Sequence, residues 1–68
     1  MRCHFHLVSY MGGVPDEFGI EVPNPLQAYT DAEAAIRELR CEDQDADWTG
    51  WRLEATDPAG LVMFAIDL

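Results

Sequence analysis

The stretch Asn24-Pro25-Leu26-Gln27-Ala28-Tyr29-Thr30-Asp31-Ala32-Glu33-Ala34-Ala35-Ile36-Arg37-Glu38-Leu39-Arg40-Cys41 is the one long helical signal in the chain. Leu26, Tyr29, Ala32, Ile36 and Leu39 recur at three- and four-residue intervals, which sets them on one face of an α-helix. Asn24 suits the N-cap, Pro25 the first helical position, and Gln27, three residues after the cap, comes close to a capping box. Thr30-Asp31-Ala32-Glu33 offers a second, later start. A helix with a single apolar stripe needs a sheet to cover, and the sequence on both sides reads as strand and turn.

Upstream, residues Arg2 to Val8 alternate, with Cys3, Phe5 and Leu7 toward the core and Arg2, His4, His6 and Val8 on the other side. Ser9 to Pro15 reads as a loop in which Gly12-Gly13 allows reversal, and Phe18-Gly19-Ile20-Glu21-Val22 as a short strand with Phe18, Ile20 and Val22 inward. Downstream of the helix, Glu42 to Asp47 is too acidic to pack. Trp51 to Thr56 alternates again, and Asp57-Pro58-Ala59-Gly60 has the residues a type I turn wants at its first, second and fourth positions. A hairpin closed by that turn pairs Ala55 with Val62, Leu53 with Phe64 and Trp51 with Ile66, all apolar. The expectation is one α+β domain over residues 1–68, two layers in the order β-β-α-β-β, with one helix packed on a four-stranded, mainly antiparallel sheet.

A chain of 68 residues buries only about 60% of the surface it exposes when unfolded, so small stability and a stabilising device such as a disulfide, a metal or a second subunit are expected. Four Lys+Arg against thirteen Asp+Glu give a net charge of −9, and the four arginines are scattered, which argues against nucleic acid as a partner and toward a basic protein. There is no lysine, so Schiff-base chemistry is excluded. No apolar run is long enough to span a bilayer and no apolar leader precedes the first strand, so a cytoplasmic location with no membrane partner is expected. In that compartment Cys3 and Cys41 are expected to be free, mostly buried thiols.

Four groups of side chains are candidates for function. His4 and His6 leave the same face of a strand about 7 Å apart, within reach of a shared divalent metal, although two imidazoles fall short of the three or four ligands of a zinc site. Asp43, Asp45 and Asp47, with Glu54 eleven residues after the first, have the spacing of a calcium loop, but Trp48 stands where the sharp turn needs glycine. Trp51 reads as core and Trp48 as a cap on the sheet edge. The reverse face of the last hairpin carries Leu61, Met63 and Ala65 among polar residues, and together with His4 and His6 these form a candidate homodimer interface. No nucleophile with a base, paired catalytic carboxylates or phosphate-binding glycine pattern stands out, so a non-catalytic interaction or regulatory module without a cofactor is expected, acting through an exposed sheet face or edge. A divalent-metal-binding protein using His4 and His6 is the alternative.

Phe5-His6-Leu7, Asp16-Glu17-Phe18-Gly19-Ile20-Glu21, the alanine-rich helix, Asp47-Trp48-Thr49-Gly50-Trp51-Arg52-Leu53-Glu54 and Thr56-Asp57-Pro58-Ala59-Gly60, in this order, resemble a family of short alphaproteobacterial proteins known as domain of unknown function 6894. The resemblance spans nearly the whole chain. It implies a bacterial, stand-alone, non-secreted protein and carries over no activity or site residue. A looser likeness to the small, acidic sheet-plus-helix domains of HicB-type antitoxins implies an antitoxin-like protein that binds a basic partner.

Overall fold

In the computed structural model, which describes residues 1–68, the chain forms strands β1 (Arg2–Ser9), β2 (Gly12–Val14) and β3 (Ile20–Glu21), helix α1 (Pro25–Glu42), and strands β4 (Arg52–Thr56) and β5 (Val62–Asp67). All pairings are antiparallel, and the five strands lie in the order β2-β1-β4-β5 with β3 also on β1. One helix lies on this sheet, packed mainly over β4 and β5.

Helix α1 begins where the local signals place it. The Asn24 side chain accepts the Gln27 N–H at 2.9 Å and Pro25 opens the first turn. Gln27 does not complete a capping box; its amide reaches forward to Asp31 at 2.8 Å. The buried line is Ala28, Ala32 and Ile36, with Leu39 half-buried, so the helix is rotated from the stripe expected and Leu26 is 76% exposed. Small alanine side chains let the helix axis approach the sheet closely. Leu26, two positions from Ala28, then falls on the far side.

The N-terminal strands differ from expectation. Tyr10 and Met11 form a tight turn that pairs Ser9 with Gly12, so the supposed loop contains strand β2. Beyond it Leu7 faces Val14 while Cys3 faces Ile20, which leaves residues 15–19 bulged out between two pieces of one edge strand. Gly19, in the left-handed region at φ 69°, ends the bulge; a Cβ there would stand 2.7 Å from the Cys3 carbonyl oxygen and 3.0 Å from the His4 ring. Phe18, expected inward, is carried out on the bulge and is 80% exposed.

The last hairpin forms, but its register is two residues away from that expected. Leu53 faces Ile66 and Ala55 faces Phe64, while Thr56 faces Val62. Met63 is the additional residue of a bulge at this point, which turns it partly toward the core. Because the slip is even, Leu53, Ala55, Phe64 and Ile66 still share the helix-facing side.

Three turns have the sequence Asp-x-x-Gly and the same local structure. In each, the aspartate Oδ1 accepts the N–H two residues on, from Phe18 at 3.2 Å, Thr49 at 3.0 Å and Ala59 at 2.9 Å. The glycines that close them, Gly19, Gly50 and Gly60, have φ of 69°, 81° and 85°. Two small clusters make the core: Cys3, Val22, Ala28 and Ala55 in one, Ala32, Ile36 and Leu53 in the other, with half-buried Phe5 and Phe64 touching both. Cys3 is fully buried, whereas Cys41 is exposed, against the expectation of two mostly buried thiols; both are free.

Candidate functional site

His4, His6 and Thr56 come together on the face of the sheet away from the helix, and Asp16 reaches them from the bulge. Asp16 binds through every polar group it has. Its carbonyl oxygen lies 2.8 Å from His4 Nδ1 and its N–H donates to His6 Nδ1 at 3.0 Å. Its carboxylate accepts from Phe5 N–H at 3.1 Å, replacing the strand partner missing from the gap, and from Phe18 and Gly19 N–H groups at 3.2 and 3.0 Å. Partial burial works to raise the Asp16 carboxyl pKa, but the N–H donors of Gly19, Phe5 and Phe18, together with His4, outweigh it and hold the pKa below its ordinary value. Beneath the site, burial first and the Asp16 charge second push the Cys3 thiol pKa up.

The donors fix the histidine tautomers. A carbonyl only accepts, so His4 carries hydrogen on Nδ1; an amide N–H only donates, so neutral His6 carries its hydrogen on Nε2, which sits 3.1 Å from Thr56 Oγ1. The rings stack nearly parallel, 5° apart in plane, with centroids 6.1 Å apart. Only His4 Nε2 is left without a hydrogen bond, so an ion held between the two imidazoles would have to displace Asp16 or Thr56.

The acidic residues expected to form a calcium loop are not brought together. Asp43 ends the helix, Asp47 is occupied by Thr49, whose side chain and N–H hold its carboxyl pKa down, and Glu54 lies on the sheet paired with Arg52 at 2.8 Å. No cluster of three or more histidine, cysteine or acidic side chains has metal-binding geometry. Trp48 and Trp51 are half-buried and meet edge-to-face at 6.3 Å, leaving the Trp48 Nε1 buried without a partner. Of the residues expected at an interface, Leu61 and Ala65 are exposed, His4 and His6 are half-buried, and Met63 packs against the Cys3 cluster.

The two margins of the sheet are unlike. The β2 and β3 margin is broken by Pro15 and by the Asp16 bulge. On the other margin β5 pairs only with β4. Leu68 N–H donates to Trp51 C=O, so by the alternation of antiparallel ladders Ile66 and Phe64 also turn toward β4, and Ala65 and Asp67 turn their N–H and C=O groups to the open side. Beside this margin lies a groove of about 210 Å³ between α1 and β5, lined by Glu33, Ile36, Arg37, Arg40, Ile66 and Asp67. Sequence reading missed both Asp16 and this groove. The recurring Asp-x-x-Gly spacing was the available signal for the first; the second depends on how the helix is rotated over the sheet.

Fold and site together define a small α+β protein in which one helix covers an antiparallel sheet whose β5 margin is unbroken and whose other margin is interrupted by a bulge. The chain belongs to the family described as Domain of unknown function (DUF6894), whose profile matches residues 2–68. No curated protein and no solved structure gives a significant match. No helix is long and apolar enough to cross a membrane.

Proposed function

We propose that this chain is a non-catalytic interaction module that offers strand β5 to an extended segment of a partner protein. The observation that carries this reading is the open margin at Ala65 and Asp67, since unpaired strand groups are a template for strand addition and the opposite margin is made of two short strands interrupted by the Asp16 bulge. The side chains of β5 bear no positive charge or proline that would discourage such pairing. Ala65→Pro removes an outward N–H at a position where proline is tolerated, on an edge strand. Partners captured from a native extract by the wild type should be lost with this variant while its circular dichroism is kept. An unchanged set of captured proteins overturns the reading.

A homodimer is a second reading, favoured by a different observation. Phe18, Leu26, Leu61 and Val62 are exposed, the first three of them by two thirds or more, at the end of the sheet where β1 begins. A protein with only eight buried residues gains from covering such side chains. Sedimentation should show a dimer that Leu61→Asp dissociates; a monomer at the highest attainable concentration removes this reading.

A further inference from the structure

We infer that the groove between α1 and β5 binds an extended peptide segment through a single carboxylate, clamped by Arg37 and Arg40 while the peptide backbone adds to β5. The inference rests on the edge-strand reading above and specifies the partner's chemistry.

Four basic side chains serve thirteen acidic ones in this chain, so an arginine without an ion pair is out of the ordinary. Arg2 pairs with Glu21 at 3.4 Å and Arg52 with Glu54 at 2.8 Å. Arg37 and Arg40 make no ion pair, although Glu33 and Asp67 line the same groove. Arg37 and Arg40 are three residues apart on the helix and line one groove, so their Cβ atoms lie about 5–6 Å apart and one carboxylate can reach both side chains. They sit over the end of β5 that contains Ile66 and Asp67, beside the outward-facing backbone groups. A strand laid along β5 therefore passes under this flank of the helix, with Ile36 and Ile66 as an apolar floor for one side chain and the arginines above the next on the same face.

Glu33 and Asp67 set the limit on the partner's charge. A run of acids would outnumber the two arginines and meet Glu33 and Asp67 as like charges, whereas a single carboxylate is matched by Arg37 and Arg40. The net charge of −9 draws basic flanking sequence toward the surface from a distance. The segment this groove fits is an extended stretch with one Asp or Glu and apolar or basic neighbours.

The test uses the full chain and two short acetylated, amidated peptides of alternating valine and threonine flanked by arginine, one with a central aspartate and one with asparagine there. The aspartate peptide should bind about tenfold more tightly, a difference that Arg37→Gln with Arg40→Gln erases without loss of helix signal. Hydrogen exchange at the Ala65 and Asp67 amides should slow on binding. Equal affinity for the two peptides, with those amides still protected, overturns the carboxylate assignment and leaves the edge reading standing. No protection with either peptide at millimolar concentration overturns both. Amides already protected in the free protein, with a dimeric mass, assign the edge to a second copy and overturn the peptide site.

Discussion

At the scale of single residues Asp16 joins more of the molecule than any core side chain does. Its main chain holds two histidines in opposite tautomers, and its side chain fills a gap in the sheet. Long-range proton–nitrogen NMR of the neutral imidazoles should therefore show the Nδ1–H form for His4 and the Nε2–H form for His6; the same tautomer at both would contradict the geometry. Asp16→Ala leaves the Phe5, Phe18 and Gly19 N–H groups without their acceptor, and should destabilise the fold by about 1–3 kcal/mol, toward the lower end because water reaches the bulge. The pH dependence has a definite sign. With its folded pKa depressed, Asp16 stabilises the native state fully above the ordinary carboxylate range; as pH falls below about 4 the unfolded chain takes up the proton first and the stabilisation is lost. Urea midpoints of the wild type and Asp16→Asn should differ at neutral pH and converge in acid. A gap that stays constant would show that the carboxylate charge is not what the bulge uses.

At the scale of elements, what could be read from the sequence divides by the range of the interactions. Asn24, Pro25 and the helical periodicity act within one or two turns, and α1 starts and ends within a residue of the stretch they mark. Asp57 to Gly60 likewise makes its turn from local bonds alone. The rotation of α1 was not legible, because leucine at position 26 and alanine at 28 differ in apolar area in a direction opposite to their burial; close approach of helix to sheet decided it. Nor was the hairpin register, since Phe64 and Ile66 are both apolar and a two-residue slip keeps each on the helix-facing side, while the bulge moves Val62 opposite Thr56. The bulge at Met63 could not be seen in an alternating pattern; it turns Met63 partly toward the core and sets Val62 opposite Thr56 instead of Ala55. For the bulge of residues 15–19 the sequence offered Gly19, and its demands are testable. Gly19→Ala meets both a left-handed backbone and a carbonyl 2.7 Å from the new Cβ, and should destabilise by more than the ~1 kcal/mol of an ordinary left-handed site. Gly60→Ala, also left-handed but with open space around its Cβ, serves as the control. Equal midpoint shifts for the two variants would mean that the contact with Cys3 and His4 contributes nothing.

At the scale of the whole molecule, stability and binding share one seam. Seven apolar side chains and Thr56 are all that is buried. For a chain of 68 residues the expected total is only roughly 3–10 kcal/mol. Leu53, 2% exposed, packs with Ala32 and Ile36 where α1 meets the sheet, and Leu53→Ala should remove about 2–4 kcal/mol of that total. Ile36 has one side in this cluster and another in the groove, so a peptide that fills the groove acts on the same helix–sheet contact that the truncation weakens. A ligand that binds the native state alone stabilises it by mass action, by about 2.7 kcal/mol at a hundred times its dissociation constant. The expected result is that the aspartate peptide restores cooperative unfolding to Leu53→Ala and raises its urea midpoint with the logarithm of peptide concentration, as followed by circular dichroism. The asparagine peptide should need a higher concentration for the same shift. If the midpoint does not move at concentrations that slow exchange at Ala65 and Asp67, the peptide does not prefer the native state to the unfolded chain, and the groove between α1 and β5 is not its site.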